Sequence, residues 1–94
     1  MLTARMKRRI KHELTDEKPM VWIGKEGSTA RTIAEINRQL DIREMVKIRI
    51  LKTALEEEKA KTLASQIAEQ TKAALIEVRG HTFILYRRRK PRHA

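Results

Sequence analysis

Hydrophobic positions fall along this chain in two rhythms, and the switches between them mark out seven elements. Leu2, Met6, Ile10 and Leu14 recur every fourth residue, which on a helix gathers them into one narrow stripe and leaves Arg5, Arg8, Lys11 and His12 on the other side. Thr3 is placed to cap that helix. Thr15 to Pro19 reads as a connector, because Pro19 disfavours helix at Lys18. The apolar run Met20-Val21-Trp22-Ile23 lies between Pro19 and Gly24, and its shortness favours a buried strand. From Ala30 the period lengthens again. Ala30, Ile33, Ile36, Asn37 and Leu40 share a helical face, with Arg31, Glu35 and Arg38 turned away and Ser28 or Thr29 as the cap.

Val46-Lys47-Ile48-Arg49-Ile50 alternates with period two, the mark of a strand with one buried and one wet face. Glu56, Glu57 and Glu58 suit the positive dipole end of a further helix, whose inner stripe is Ala60, Leu63, Ile67, Thr71 and Ala74. Leu75-Ile76-Glu77-Val78-Arg79 and Thr82 to Tyr86 read as two strands joined through Gly80-His81, a tight turn in which glycine tolerates positive φ. The order is helix, strand, helix, strand, helix, strand, strand. It specifies an α/β fold with a mixed four-stranded sheet packed with helices. The length of 94 residues suits one domain, placed at 1–87, with 88–94 as a basic C-terminal tail.

Composition narrows the function classes. No cysteine is present, which excludes disulfides and thiolate chemistry and fits a cytoplasmic location. No apolar run approaches the ~18 residues of a membrane span, and the basic N-terminus has no apolar signal core, so no membrane partner is expected. The net charge is +10, and its distribution matters more than its size. Arg5, Lys7, Arg8, Arg9 and Lys11 against Glu13 give residues 1–14 a net +4; Arg79, Arg87, Arg88, Arg89, Lys90 and Arg92 give residues 79–94 a net +6. The stretch 15–78 is neutral, so the whole excess sits at the two ends. That concentration points to a polyanion.

The candidate chemistry is concentrated in Gly24-Lys25-Glu26-Gly27. A Gly-x-x-Gly turn between a strand and a helix lets backbone approach a phosphate closely, and the helix behind it offers unpaired N–H groups. Lys25 adds a point charge at the tip, Ser28 and Thr29 add hydroxyls, and Arg31 lies exposed in the first helical turn. This is how KH domains clamp a nucleic-acid backbone; alone, the same four residues also suit a simple turn with an N-cap. Glu26 makes the loop nearly neutral, so the loop would position the ligand while Arg5, Arg8, Lys11, Arg87, Arg88, Arg89 and Lys90 supply the electrostatic affinity. The spacing fits neither a dinucleotide fingerprint nor a P-loop. His12, His81 and His93 are scattered without metal spacing, and no nucleophile–base arrangement can be assembled. An enzyme, a cofactor, a metal and a small-molecule substrate are therefore not expected. Trp22 and Tyr86 could stack on bases, but both sit in apolar strands and are assigned to the core. Lys47, Arg49 and Arg79, partly balanced by Glu77, line the wet sheet face, either as a binding surface or as ordinary solvated residues.

Three segments together carry a family resemblance. Pro19 to Thr29 resembles the loop signature of the CRM domain, named for chloroplast RNA splicing and ribosome maturation. Glu44 to Ile50 resembles its second strand, and Val78 to Arg87 its closing hairpin. Single-domain members of this kind are the YhbY-type proteins of bacteria and archaea. The resemblance implies a fold similar to the C-terminal domain of translation initiation factor three. It also implies RNA binding through the Gly-x-x-Gly loop, and association with ribosomal RNA in the large subunit or its precursors. Gly24, Lys25 and Gly27 match the motif directly, and a role for Arg87 is carried over from the hairpin. The expected protein is a monomeric RNA-binding domain of ribosome assembly. Two alternatives remain open from sequence: a DNA-binding or chromatin-like basic protein, and a ribosome-bound module that touches mainly protein.

Overall fold

The computed structural model of the chain describes residues 3–15, 17–24, 29–51 and 57–88. Helices α1 (Ala4–Thr15), α2 (Ala30–Arg43) and α3 (Glu57–Thr71) alternate with strands β1 (Val21–Ile23), β2 (Met45–Ile50), β3 (Ala74–Arg79) and β4 (Thr82–Tyr86). The expected element order is therefore the observed one. The strands form a single mixed sheet in the spatial order β1-β2-β4-β3, with β1 parallel to β2 and β4 antiparallel to both its neighbours.

Two cores lie on the two faces of this sheet. Val21, Ile23, Val46, Ile48, Ile50, Phe83 and Leu85 point to one face, where Ile36 and Leu40 of α2 and Ala60, Ala64 and Ile67 of α3 close over them. Burial of this apolar surface is the main force holding the fold together. On the other face Ile10 and Leu14 of α1 pack on Ile76 and Ile84, flanked by Met20, Met45, Ala74 and Tyr86. Those flanking residues stand at the starts of β1, β2 and β3 and at the end of β4. So α1 lies across one end of the sheet and leaves the opposite end of that face open.

The helix ends have identifiable locks. Thr3 Oγ1 accepts the N–H of Met6 at the start of α1, and Thr29 is the N-cap of α2. At the end of α2 Glu44 adopts the left-handed conformation, with φ 65°, and donates its N–H to Leu40 O. At the end of α3 Lys72 does the same with φ 55°; its N–H reaches Glu69 O while Ala73 N–H reaches Ala68 O. That pair of bonds is a Schellman motif built without glycine. It stops α3 at Thr71, so Ala74, expected on the helix stripe, instead opens β3. A bulge between Leu75 and Glu77 interrupts the pairing of β3 with β4 and turns Ile76 toward α1. Gly80 takes φ +59° in the hairpin turn, with His81 outside the left-handed region; this is the pattern of a type II′ turn.

Two expectations about burial are corrected. Ala30 is exposed rather than on the inner face of α2. Trp22, assigned to the core, is 53% exposed. Its strand is an edge strand whose residues alternate, with Val21 and Ile23 turned to the helices and Trp22 to the face that α1 leaves open.

Candidate nucleic-acid interface

The loop after β1 begins where the sheet ends. Leu51 N–H still bonds to Ile23 O at 2.8 Å, and the chain then leaves through Gly24. A Cβ built on Gly24 would meet only Leu51 Cδ1, at the ordinary contact distance of 3.9 Å, and Gly24 is not in the left-handed region. Neither packing nor backbone conformation demands a glycine there. Lys25, Glu26, Gly27 and Ser28 lie outside the described residues.

Beyond the loop Thr29 starts α2. Its Oγ1 accepts the Thr32 N–H at 3.2 Å and shares a 3.0 Å hydrogen bond with Thr32 Oγ1. The hydroxyl that sequence offered to phosphate is thus engaged in the helix cap. The first-turn N–H groups of a helix lack intrahelical acceptors, and those of Ala30 and Arg31 find none among the described residues. Arg31 is exposed. On the outer face of α2, Arg38 hydrogen bonds, then Gln39, hold the Glu35 carboxyl below the usual carboxylate range, and the same bonds neutralise Arg38.

The basic candidates of α1 divide. Arg5 and Arg8 are exposed. Lys11 is half-buried and lies 3.9 Å from Glu77 on the sheet. These residues sit on the opposite side of the sheet from α2, so Arg31 and the basic helix do not merge into one patch. Beside α1, on its own face, is the uncovered end of the sheet.

Arg87 follows β4 but does not belong to a tail. Its Nη1 donates to Asn37 Oδ1 at 2.8 Å and to Thr71 O at 2.6 Å; its Nη2 donates to Asn37 O at 3.3 Å and to Asp41 Oδ1 at 2.8 Å. The side chain is only 23% exposed. Its donors are spent on tying the end of β4 to α2 and α3, an internal role that competes with the RNA contact carried over from the hairpin resemblance. Arg88 is exposed, and Arg89 and Lys90 lie outside the described residues.

Sequence reasoning left the wet sheet face undecided, and here the structure separates its members. Lys47 donates to Leu14 O at 3.0 Å and Glu17 O at 2.9 Å, closing the carbonyl end of α1. Arg79 lies 3.7 Å from Glu77 with its side chain 80% exposed. Arg49 is exposed, and its side chain has no hydrogen bond or ion pair to any described residue. A depression of about 190 Å³ lined by Lys47, Glu77, Arg79, Thr82 and Ile84 adjoins them. No group of three or more metal-ligating side chains occurs among the described residues, and none of their helices is long and apolar enough to cross a membrane.

Comparison with known proteins places this geometry. The CRS1 / YhbY (CRM) domain model matches residues 2–87. A Methanocaldococcus jannaschii protein named a probable RNA-binding protein is 37% identical over 95% of this chain; the match spans 66% of that protein, just under two thirds of its length. The Bacillus subtilis probable RNA-binding protein YqeI is 28% identical over 96% of this chain and 92% of its own. A Haemophilus influenzae RNA-binding protein is 32% identical over 73% and 68% respectively. None of the three bears the name of an enzyme. A Staphylococcus aureus solution structure matches with a TM-score of 0.79 and 30% identity, covering 98% of this chain and 94% of that one.

Proposed function

Because the chain belongs to the CRS1 / YhbY (CRM) domain family, we propose that it is an RNA-binding protein of ribosome assembly. In this reading it acts as a monomer in the cytoplasm and holds ribosomal RNA of the large subunit or its precursor. The names of the archaeal and bacterial relatives support the RNA partner, and the +10 charge gathered at the chain ends is the electrostatic footprint of a polyanion ligand.

The observation that carries the proposal is the bareness of Gly24 at the mouth of the loop. Its missing side chain fills no requirement of the fold, and the helix that follows begins with N–H groups, those of Ala30 and Arg31, that find no acceptor among the described residues. A backbone without Cβ lets a phosphate come close, and the N-terminal dipole of α2 favours the negative charge. The loop then fixes the register of the sugar-phosphate chain. Arg31, Arg5, Arg8 and the residues from Arg88 onward add affinity by releasing counterions.

Binding measured against salt tests this directly. Four to six phosphate contacts give a log–log slope of roughly −3 to −4 on single strands, and an affinity indifferent to salt would sink the proposal. Gly24→Val, together with a bulky residue at Gly27, should weaken RNA binding while leaving the melting temperature in place. Sedimentation of the protein in cell extracts should follow large-subunit precursors. Preference for duplex DNA over structured RNA at fixed salt would instead favour the DNA-binding alternative.

A further inference from the structure

Four residues form a row across the open end of the sheet. Trp22 pairs with Arg49, Arg49 with Thr82, and Thr82 with Arg79. Side chains opposite one another in a sheet share a face, so all four stand on the side that α1 does not cover here. The row runs over three strand spacings, about 14–15 Å. An indole lies at one end, a guanidinium with no partner among the described residues next to it, and a second, largely solvated guanidinium at the far end.

We infer that this row is a second RNA contact surface, on which one unpaired base stacks on Trp22 while the adjoining phosphates run over Arg49 and Arg79. The inference rests on the RNA-binding reading above and deepens it. Burying a tryptophan is among the largest apolar gains a domain of this size can make, yet the fold leaves Trp22 more than half in water. The strand alternation alone would tolerate a polar residue there. A flat π-face flanked by cations is what single-stranded nucleic acid recognises: bases of any identity stack, and arginines hold the backbone. Charge selects the same ligand. Beside the row, Lys47 and Arg79 line the depression with Glu77, the one acid of its lining, and Arg79 and Lys11 both lie within 4 Å of that carboxylate. Position agrees as well. Trp22 is two residues before Gly24, and the row shares its sheet face with α1, so RNA that engages Gly24 and α1 together meets it.

Trp22 is the only tryptophan in the chain, so its emission reports on this site alone. The full chain is titrated with an unlabelled oligouridylate of about 12 nucleotides, a length within single-strand site sizes. Affinity is followed separately by anisotropy of an end-labelled copy. Binding should quench Trp22 emission, and a fully paired RNA duplex should quench it far less. Trp22→Ala should lose affinity by about 5- to 150-fold, with Trp22→Phe recovering most of it and circular dichroism of both variants unchanged. Joint replacement of Arg49 and Arg79 by alanine should flatten the salt slope by about 1.4, two phosphate contacts at 0.7 each. Anisotropy that reports tight binding while emission, Trp22→Ala and the double arginine variant all stay at wild-type values overturns the stacking surface and leaves the loop reading standing. Failure of the wild-type chain to bind any RNA overturns both.

Discussion

Replacing Arg87 separates a structural arginine from a phosphate-binding one. In Arg87→Ala four hydrogen bonds disappear at once, but they do not count equally. Asp41 is 73% exposed and regains water, so its ion pair contributes little. Asn37 is half-buried and partly resolvated. The carbonyl of Thr71 belongs to a residue only 2% exposed, and an unsatisfied buried acceptor costs about 1–3 kcal/mol. With the loss of the charge-assisted bond to Asn37, the total comes to about 2–4 kcal/mol, a large share of the ~5–15 kcal/mol available to a domain. At about 4–8 °C per kcal/mol for a chain of this size, the melting temperature should fall by roughly 8–32 °C. Urea unfolding should show a lower midpoint with an unchanged slope. Arg87→Lys keeps the charge but lacks the planar fork, so it should recover less than half of the loss. Its RNA affinity, measured well below the melting transition, should equal that of the wild type. A lysine variant that melts like wild type but binds RNA more weakly would refute this reasoning and return Arg87 to the RNA surface.

Two further outcomes concern single elements. Lys47→Met removes the ammonium that closes the carbonyl end of α1 on Leu14 and Glu17; it should destabilise by about 1–2 kcal/mol, and hydrogen exchange should accelerate in α1 before the rest of the chain. Lys72→Gly relieves a left-handed lysine at the end of α3 and should stabilise by about 0.5–1 kcal/mol in denaturant unfolding, whereas a loss of stability would show that the conformation carries no strain.

The periodicities of α2 and β2, the capping threonines and the hairpin turn were legible because each is a local pattern. Ile36 and Leu40 lie one helical turn apart, and Val46, Ile48 and Ile50 alternate; no knowledge of distant residues is needed to place them. Trp22 was misread because Met20-Val21-Trp22-Ile23 shows four apolar residues in a row, and only tertiary structure tells that α1 covers one end of the second face and not the other. Arg87 opens a run of basic residues that gives no sign of its acceptors, which lie on α2 and α3, up to 50 residues away. The end of α3 carried no glycine to announce it, since Lys72 adopts the conformation instead. Of the candidate site, Gly24, the Thr29 cap and exposed Arg31 were readable from spacing. The row from Trp22 to Arg79 was not, because it is assembled by strand register from segments that are remote in sequence.

The place of β4 in the sheet has a consequence for the newborn chain. Thr82–Tyr86 is the last of the four described strands to be synthesised, but it lies in the interior of the sheet, bonded to β2 on one side and β3 on the other. Until it leaves the ribosomal tunnel, β2 and β3 have no hydrogen-bonded connection, and the main core lacks Phe83 and Leu85. The domain therefore cannot mature from its N-terminus forward as synthesis proceeds. Its completion is a strand-insertion event after translation has passed Tyr86, and until then the edges of β2 and β3 that β4 will pair face solvent, an interval in which aggregation competes with folding.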